Sequence, residues 1–296
     1  MNDVRRLKAT WLGARYGGAV SAVVGGAFAD RLWFTPWHVG LSERAQAREA
    51  GWLASTAPLT IPFGDGLLAG FTAGQGPTVL LVHGWGDRAS RLGAFIEPLV
   101  EAGHRVVGVD LPAHGGSTGR TTNAYEAAAA IRAIADHVGP VYAVIAHSMG
   151  GMETLVAIRD GLAVDRMILL ASAVRLEHAM SKFSAMFGIP ERAMRGLRTR
   201  IERRFGAGVF TDFSADVIAD GLAVPGLLFH DRSDTQVDFG DGQRLAAAWS
   251  GGRLITTEGL GHDRLVRDPA VVQAATSFIA QGQGVTRSAA ASSRAT

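Results

Sequence analysis

Four short apolar runs constrain this chain more than any other feature: Val79-Leu80-Leu81-Val82, Val106-Val107-Gly108-Val109, Val141-Tyr142-Ala143-Val144-Ile145 and Met167-Ile168-Leu169-Leu170. Each has the length of a strand and is continuous rather than alternating, which marks strands buried on both faces. Stretches of helical spacing separate them, ending near Ala102 and covering about 123–137 and 149–160. Two more runs, 226–229 and 253–256, resume the rhythm, with helices near 243–249 and 269–280. Strands alternating with helices dictate a mostly parallel sheet with helices on both faces, an α/β fold.

Three segments depart from the rhythm. Residues 58–63 and 67–71 flank Gly64-Asp65-Gly66 and read as a hairpin, preceded by a helix over 41–56. Residues 174–224 have helical periodicity, no strand run and many arginines. The small, polar residues 283–296 read as a disordered tail. The expected organisation is an N-terminal helical extension (1–56), a core (57–173 and 225–282) and a helical insertion (174–224).

Composition closes several routes. With 47% hydrophobic and 19% charged residues the chain is globular. It has no cysteine, which removes disulfides, thiolate metal sites and cysteine nucleophiles. Its net charge of +2 gives no electrostatic case for nucleic acid. His38, His104, His137 and His178 lack metal-ligand spacing, so no metal is expected. Lys8 and Lys182 are the two lysines, which disfavours Schiff-base chemistry.

The N-terminus holds an uncharged run, residues 16–29, behind Arg5, Arg6 and Lys8. It falls short of the ~20 residues needed to span a bilayer. With Ala27-Phe28-Ala29 it has the outline of a signal peptide, but Gly17, Gly18, Gly25 and Gly26 dilute it. The plainer reading is a Gly-rich helix packed on the domain or touching a membrane surface. A cytoplasmic location is expected, with membrane association or export as the alternative.

Three loops at strand ends carry chemistry. Ala146-His147-Ser148-Met149-Gly150-Gly151 joins a buried strand to a helix. A serine there sits on a tight, strained turn with its hydroxyl above the sheet, as in the G-x-S-x-G elbow; Ala146 replaces the first glycine. A serine needs a base, and the base an orienting acid. Gly261-His262 follows the last strand and offers His262 as base. His230-Asp231-Arg232-Ser233-Asp234 follows the preceding strand and offers Asp234 as acid, with Asp231 as its rival. His83-Gly84-Trp85-Gly86, after the first buried strand, suits an oxyanion loop; Trp85 would donate one main-chain N–H and Met149 the other. It lacks the Lys-Ser/Thr ending of a phosphate loop.

These segments, with Val109-Asp110-Leu111-Pro112-Ala113-His114-Gly115-Gly116-Ser117, resemble an α/β-hydrolase-fold serine hydrolase of the esterase or lipase kind over residues 57–282. The resemblance implies an eight-stranded, mostly parallel sheet, no cofactor, and a helical cap formed by 174–224 after the sixth strand. It makes Asp110 and His114 structural. It implies hydrolysis of small to medium carboxylic esters by Ser148, Asp234 and His262. Lactonase, thioesterase, amidase, carbon–carbon hydrolase and acyltransferase activities use the same residues and stay open, as do a non-catalytic binding protein and a membrane-anchored lipase. Oligomeric state is not encoded in any of these patterns.

Overall fold

The computed structural model describes residues 2–37 and 40–281. The chain runs α1 (Asn2–Val20), α2 (Ala22–Trp33), α3 (Glu43–Leu53), β1 (Ala57–Phe63), β2 (Gly66–Ala73) and β3 (Thr78–Val82). A 3-10 helix (Ala89–Phe95) leads into α4 (Ile96–Glu101), then β4 (Arg105–Val109), α5 (Ala124–Val138), β5 (Val141–His147), α6 (Met149–Arg159) and β6 (Arg166–Leu170). Four helices follow: α7 (Leu176–Phe187), α8 (Glu191–Phe205), α9 (Val209–Asp212) and α10 (Ala215–Ile218). The chain closes with β7 (Gly226–Asp231), α11 (Phe239–Ala248), β8 (Gly252–Thr257), α12 (Gly261–Arg264) and α13 (Pro269–Gln281).

The eight strands form one sheet in the order β1-β2-β4-β3-β5-β6-β7-β8. The hairpin β1–β2 is antiparallel, β2 lies antiparallel on β4, and β4 through β8 pair in parallel. The apolar runs behave as two interleaved sets, because successive strand residues point to opposite faces. Leu80, Val82, Val107, Val144, Ala146, Leu169 and Leu228 face one core with α5 and α6. Val79, Leu81, Val106, Ile145, Ile168, Leu170 and Phe229 face the other with the 3-10 helix, α4 and α13. Burial on both faces is why these runs are continuous.

The N-terminal run is not one helix. Ser21 adopts extended backbone (φ −151°, ψ 133°) and its hydroxyl accepts from the Val23 amide, capping α2 and ending α1. The two helices pack on each other, and α2 crosses α8 where Gly26 and Gly196 meet with no room for a side chain. The N-terminal helices therefore pack on α8, and residues of α2, α7 and α8 line one cavity with Ser148 at the end of β5. No helix among the described residues is long and apolar enough to cross a membrane. The tail at 283–296 and His38 lie outside the described residues.

Candidate active site

Ser148 occupies the turn between β5 and α6 with φ 54° and ψ −125°, a region that non-glycine residues rarely enter. The strained turn is held from both sides: the Ser148 amide donates to the Leu170 carbonyl (3.0 Å), and its carbonyl accepts from Ala173 (3.1 Å). Close approach explains the neighbouring glycines. A β-carbon on Gly84 would lie 2.8 Å from the Ser148 β-carbon, and one on Gly150 would lie 2.3 Å from the His83 carbonyl. The HGWG loop and the elbow therefore touch main chain to main chain. No main-chain bond from the Trp85 or Met149 amide is found among the described residues. Trp85, Ser148 and Met149 line one cavity.

His262, on the short helix α12, is buried, and its Nδ1 lies 2.8 Å from Asp234 Oδ2. A carboxylate accepts, so Nδ1 carries the proton and Nε2 is left as the basic nitrogen. Asp234 Oδ1 accepts from the Gln236 and Val237 amides at 2.8 and 2.9 Å. Burial pushes the Asp234 carboxyl upward, but the bond to His262, its charge and the two amides outweigh that and hold it below the ordinary carboxylate range.

Asp231 does not meet His262. Its carboxylate accepts from the Ser233 amide and hydroxyl, from the Thr257 hydroxyl (2.7 Å) and from the Leu260 amide (2.9 Å). Burial opposes ionisation, yet these donors, Ser233 and Thr257 foremost, hold its pKa well below the usual range. Asp231 thus ties the end of β7 to the loop that delivers His262.

Several supports surround these residues; Asp110 and His114 are expected to be structural, whereas His83, His147 and Arg91 are not read as supports from the sequence. His83 Nε2 accepts from the Leu111 amide (2.9 Å), so its Nδ1 donates to the Gly84 carbonyl (2.8 Å). His114 Nε2 accepts from the Gly86 amide (2.9 Å), and its Nδ1 donates to the Pro112 carbonyl (2.9 Å). The two imidazoles share one tautomer and brace the HGWG loop from both ends. Asp110 accepts from the Ala89 and Gly116 amides, each at 2.8 Å, a structural role. His147 is fully buried with its ring centroid 4.6 Å from that of His262; burial first, then the nearby His262 charge, keeps it neutral. Arg91 pairs with Asp87, just after the HGWG loop (3.2 Å), and with Asp263, next to His262 (2.7 Å). Burial pushes Asp87 up to about 6 against the pull of Arg91. The resemblance implies the roles of Asp110 and His114, and the adjacency of His83 to the loop glycines hints at its own; the partners of Arg91 include one distant in sequence.

The comparisons agree with this architecture. Among solved structures, the chain resembles a bacterial membrane phospholipase A described as a virulence factor (20% identity, 80% of this chain and 89% of that one, TM-score 0.61). It also resembles an esterase from Exiguobacterium antarcticum (18% identity, 75% and 99%, TM-score 0.59). A third is a thioesterase domain from the curacin biosynthetic pathway (17% identity, 76% and 98%, TM-score 0.57). No curated protein matches the sequence. The alpha/beta hydrolase family matches over residues 79–275, from the first buried strand through His262 and into the last helix, and the chain belongs to that family.

Proposed function

We propose that this protein is a serine hydrolase that cleaves carboxylic esters through an acyl-enzyme on Ser148. The buried 2.8 Å pairing of His262 Nδ1 with Asp234 carries the reading, because it leaves Nε2 as the basic nitrogen of a ring whose centroid lies 4.6 Å from that of His147, the residue before the strained serine. His262 Nε2 takes the Ser148 hydroxyl proton as Oγ bonds to the ester carbonyl carbon. The carbonyl oxygen becomes an oxyanion held by the Trp85 and Met149 amides. Collapse breaks the bond to the alcohol, which leaves with the proton from His262. Water then adds with His262 again as base, and the acid departs as the Ser148 hydroxyl re-forms. Residues 174–224 act as the cap.

The N-terminal hairpin supports peripheral contact with a membrane surface. Tyr16 (60% exposed) and Val23 (75%) stand in solvent with Val24, on the same hairpin as the exposed Lys8 and Arg15.

Hydrolysis of p-nitrophenyl esters from acetate to laurate tests the reading. Turnover is expected at neutral to alkaline pH, and Ser148→Ala lowers kcat by at least ~10³-fold. Turnover that survives the substitution would overturn it.

A further inference from the structure

The cavity beside Ser148 has a volume of about 910 Å³, near the upper end of the ~300–1,000 Å³ typical of small-molecule sites. The sequence expectation of small to medium esters rested on the insertion being short and partly apolar. The cavity has a second wall that the insertion does not supply. Trp33, Phe34 and Trp37, at and just beyond the end of α2, line it together with Trp85 of the HGWG loop and Ser148 of the elbow. They precede residue 79, where the match to the family begins, so this wall lies outside the matched residues.

The wall is fixed in place. Trp33 meets Phe183 edge-on (centroids 5.1 Å apart), and Trp37 meets Phe187 likewise (4.8 Å). The Phe34 carbonyl accepts from the Thr122 amide (2.9 Å). Phe34 is buried, whereas Trp33 and Trp37 are only partly so and line the cavity with what remains.

The charged groups of the same cavity are engaged with protein partners. Lys182 donates to the Thr235 carbonyl (3.0 Å). Asp241 pairs with His178 (2.8 Å) and Arg244 (2.9 Å), and Arg175 pairs with Asp216. The wall itself, Trp33, Phe34 and Trp37, offers apolar contact.

We propose that Trp33 and Trp37 are specificity-determining residues, forming the wall of a pocket for medium-length aliphatic acyl chains such as lauroyl. The proposal rests on the reading of Ser148 as the nucleophile, and varying the acyl chain over a fixed p-nitrophenol tests the acyl side. Each methylene buried there contributes about fourfold to kcat/KM, from the ~0.8 kcal/mol transfer free energy of one CH₂.

The test compares kcat/KM for p-nitrophenyl laurate and butyrate in the full chain. The ratio of the two is internal to each variant, so loss of active protein cancels. The wild type should favour laurate by at least ~10-fold, and Trp33→Ala and Trp37→Ala should each lower that ratio ~10-fold or more. Ala179→Phe, which narrows the same cavity from α7 without removing an aromatic contact, should lower it too. Trp33→Phe should recover most of the preference. Calorimetric titration of Ser148→Ala with laurate reads the pocket without turnover, and Trp33→Ala in that background should weaken binding ~10-fold. Unchanged ratios in the three narrowing and truncating variants would overturn the proposal. If the wild type cleaves no ester, the acyl-transfer reading falls instead; the laurate titration then still decides the pocket, and no binding, or binding indifferent to Trp33→Ala, overturns it.

Discussion

The Trp37 carbonyl oxygen lies over Gly86, so close that a β-carbon on Gly86 would come within 2.7 Å of it. Gly86 also has φ +75° and donates its amide to His114. The HGWG loop is thus clamped between the N-terminal extension on one side and a neutral histidine on the other.

Gly86→Ala should displace this loop, since a side chain here is strained both by φ and by the Trp37 carbonyl. We expect kcat/KM on p-nitrophenyl butyrate to fall ~10²-fold, the scale of losing one oxyanion donor. Steady-state kinetics alongside a thermal melt separates this from unfolding; an unchanged kcat would remove Trp85 from the oxyanion site.

The two aspartates should separate cleanly. Asp234→Asn removes the acceptor that fixes the His262 tautomer, and kcat should fall ~10³–10⁴-fold with little change in melting temperature. Asp231→Asn leaves the pair intact but weakens the acceptor for Ser233, Thr257 and Leu260, so the main effect is on stability, about 1–3 kcal/mol by denaturant unfolding. The reverse pattern would make Asp231 the acid.

Glu153, on α6, is fully buried, and burial alone raises its pKa well above the ordinary carboxylate value. A raised folded pKa means that the folded state holds a proton the unfolded state releases. Stability from this group is full below the unfolded pKa and is lost as pH climbs toward the folded one. Glu153→Gln should flatten that slope and raise the melting temperature at neutral pH by ~2–4 °C, equivalent to about 1 kcal/mol. Melts from pH 4 to 9 measure it; equal slopes for wild type and variant would contradict the assignment.

Membrane contact through the N-terminal hairpin is measurable by co-sedimentation. Vesicles of mixed phosphatidylglycerol and phosphatidylcholine should pull down the wild type, and binding should weaken with salt because Lys8 and Arg15 contribute. Val23→Asp with Val24→Asp should lower the bound fraction several-fold. Equal sedimentation of both proteins would exclude this face.

Much of the fold was legible because it is written locally. Val79–Val82 and Met167–Leu170 are apolar throughout since both sheet faces are covered, and a continuous run needs no partner to be recognised. Ser148 and His262 stood out for the same reason: each follows a strand and sits among glycines. The size of the site was not legible. Trp33 and Trp37 are far in sequence from Ser148, and tertiary contacts such as the α2–α8 crossing and the Phe34–Thr122 bond bring them to the same cavity. The break at Ser21 was hidden inside an uninterrupted uncharged run, where one hydroxyl cap splits the helix. His83 and His114 accept from the Leu111 and Gly86 amides, and Arg91 donates to Asp263, all partners distant in sequence that only tertiary pairing sets.

Arg91 holds Asp87 with one end of its guanidinium and Asp263 with the other, joining the stretch behind Trp85 to the residue after His262. The segment carrying Trp33 and Trp37 meets the same loop region from the other side, through the Trp37 carbonyl over Gly86. Wall and loop are therefore mechanically joined: a change in the N-terminal extension that moves Trp37 is felt at Gly86, whereas α7 and α8 supply no group to the Arg91 pairing and can vary without disturbing it.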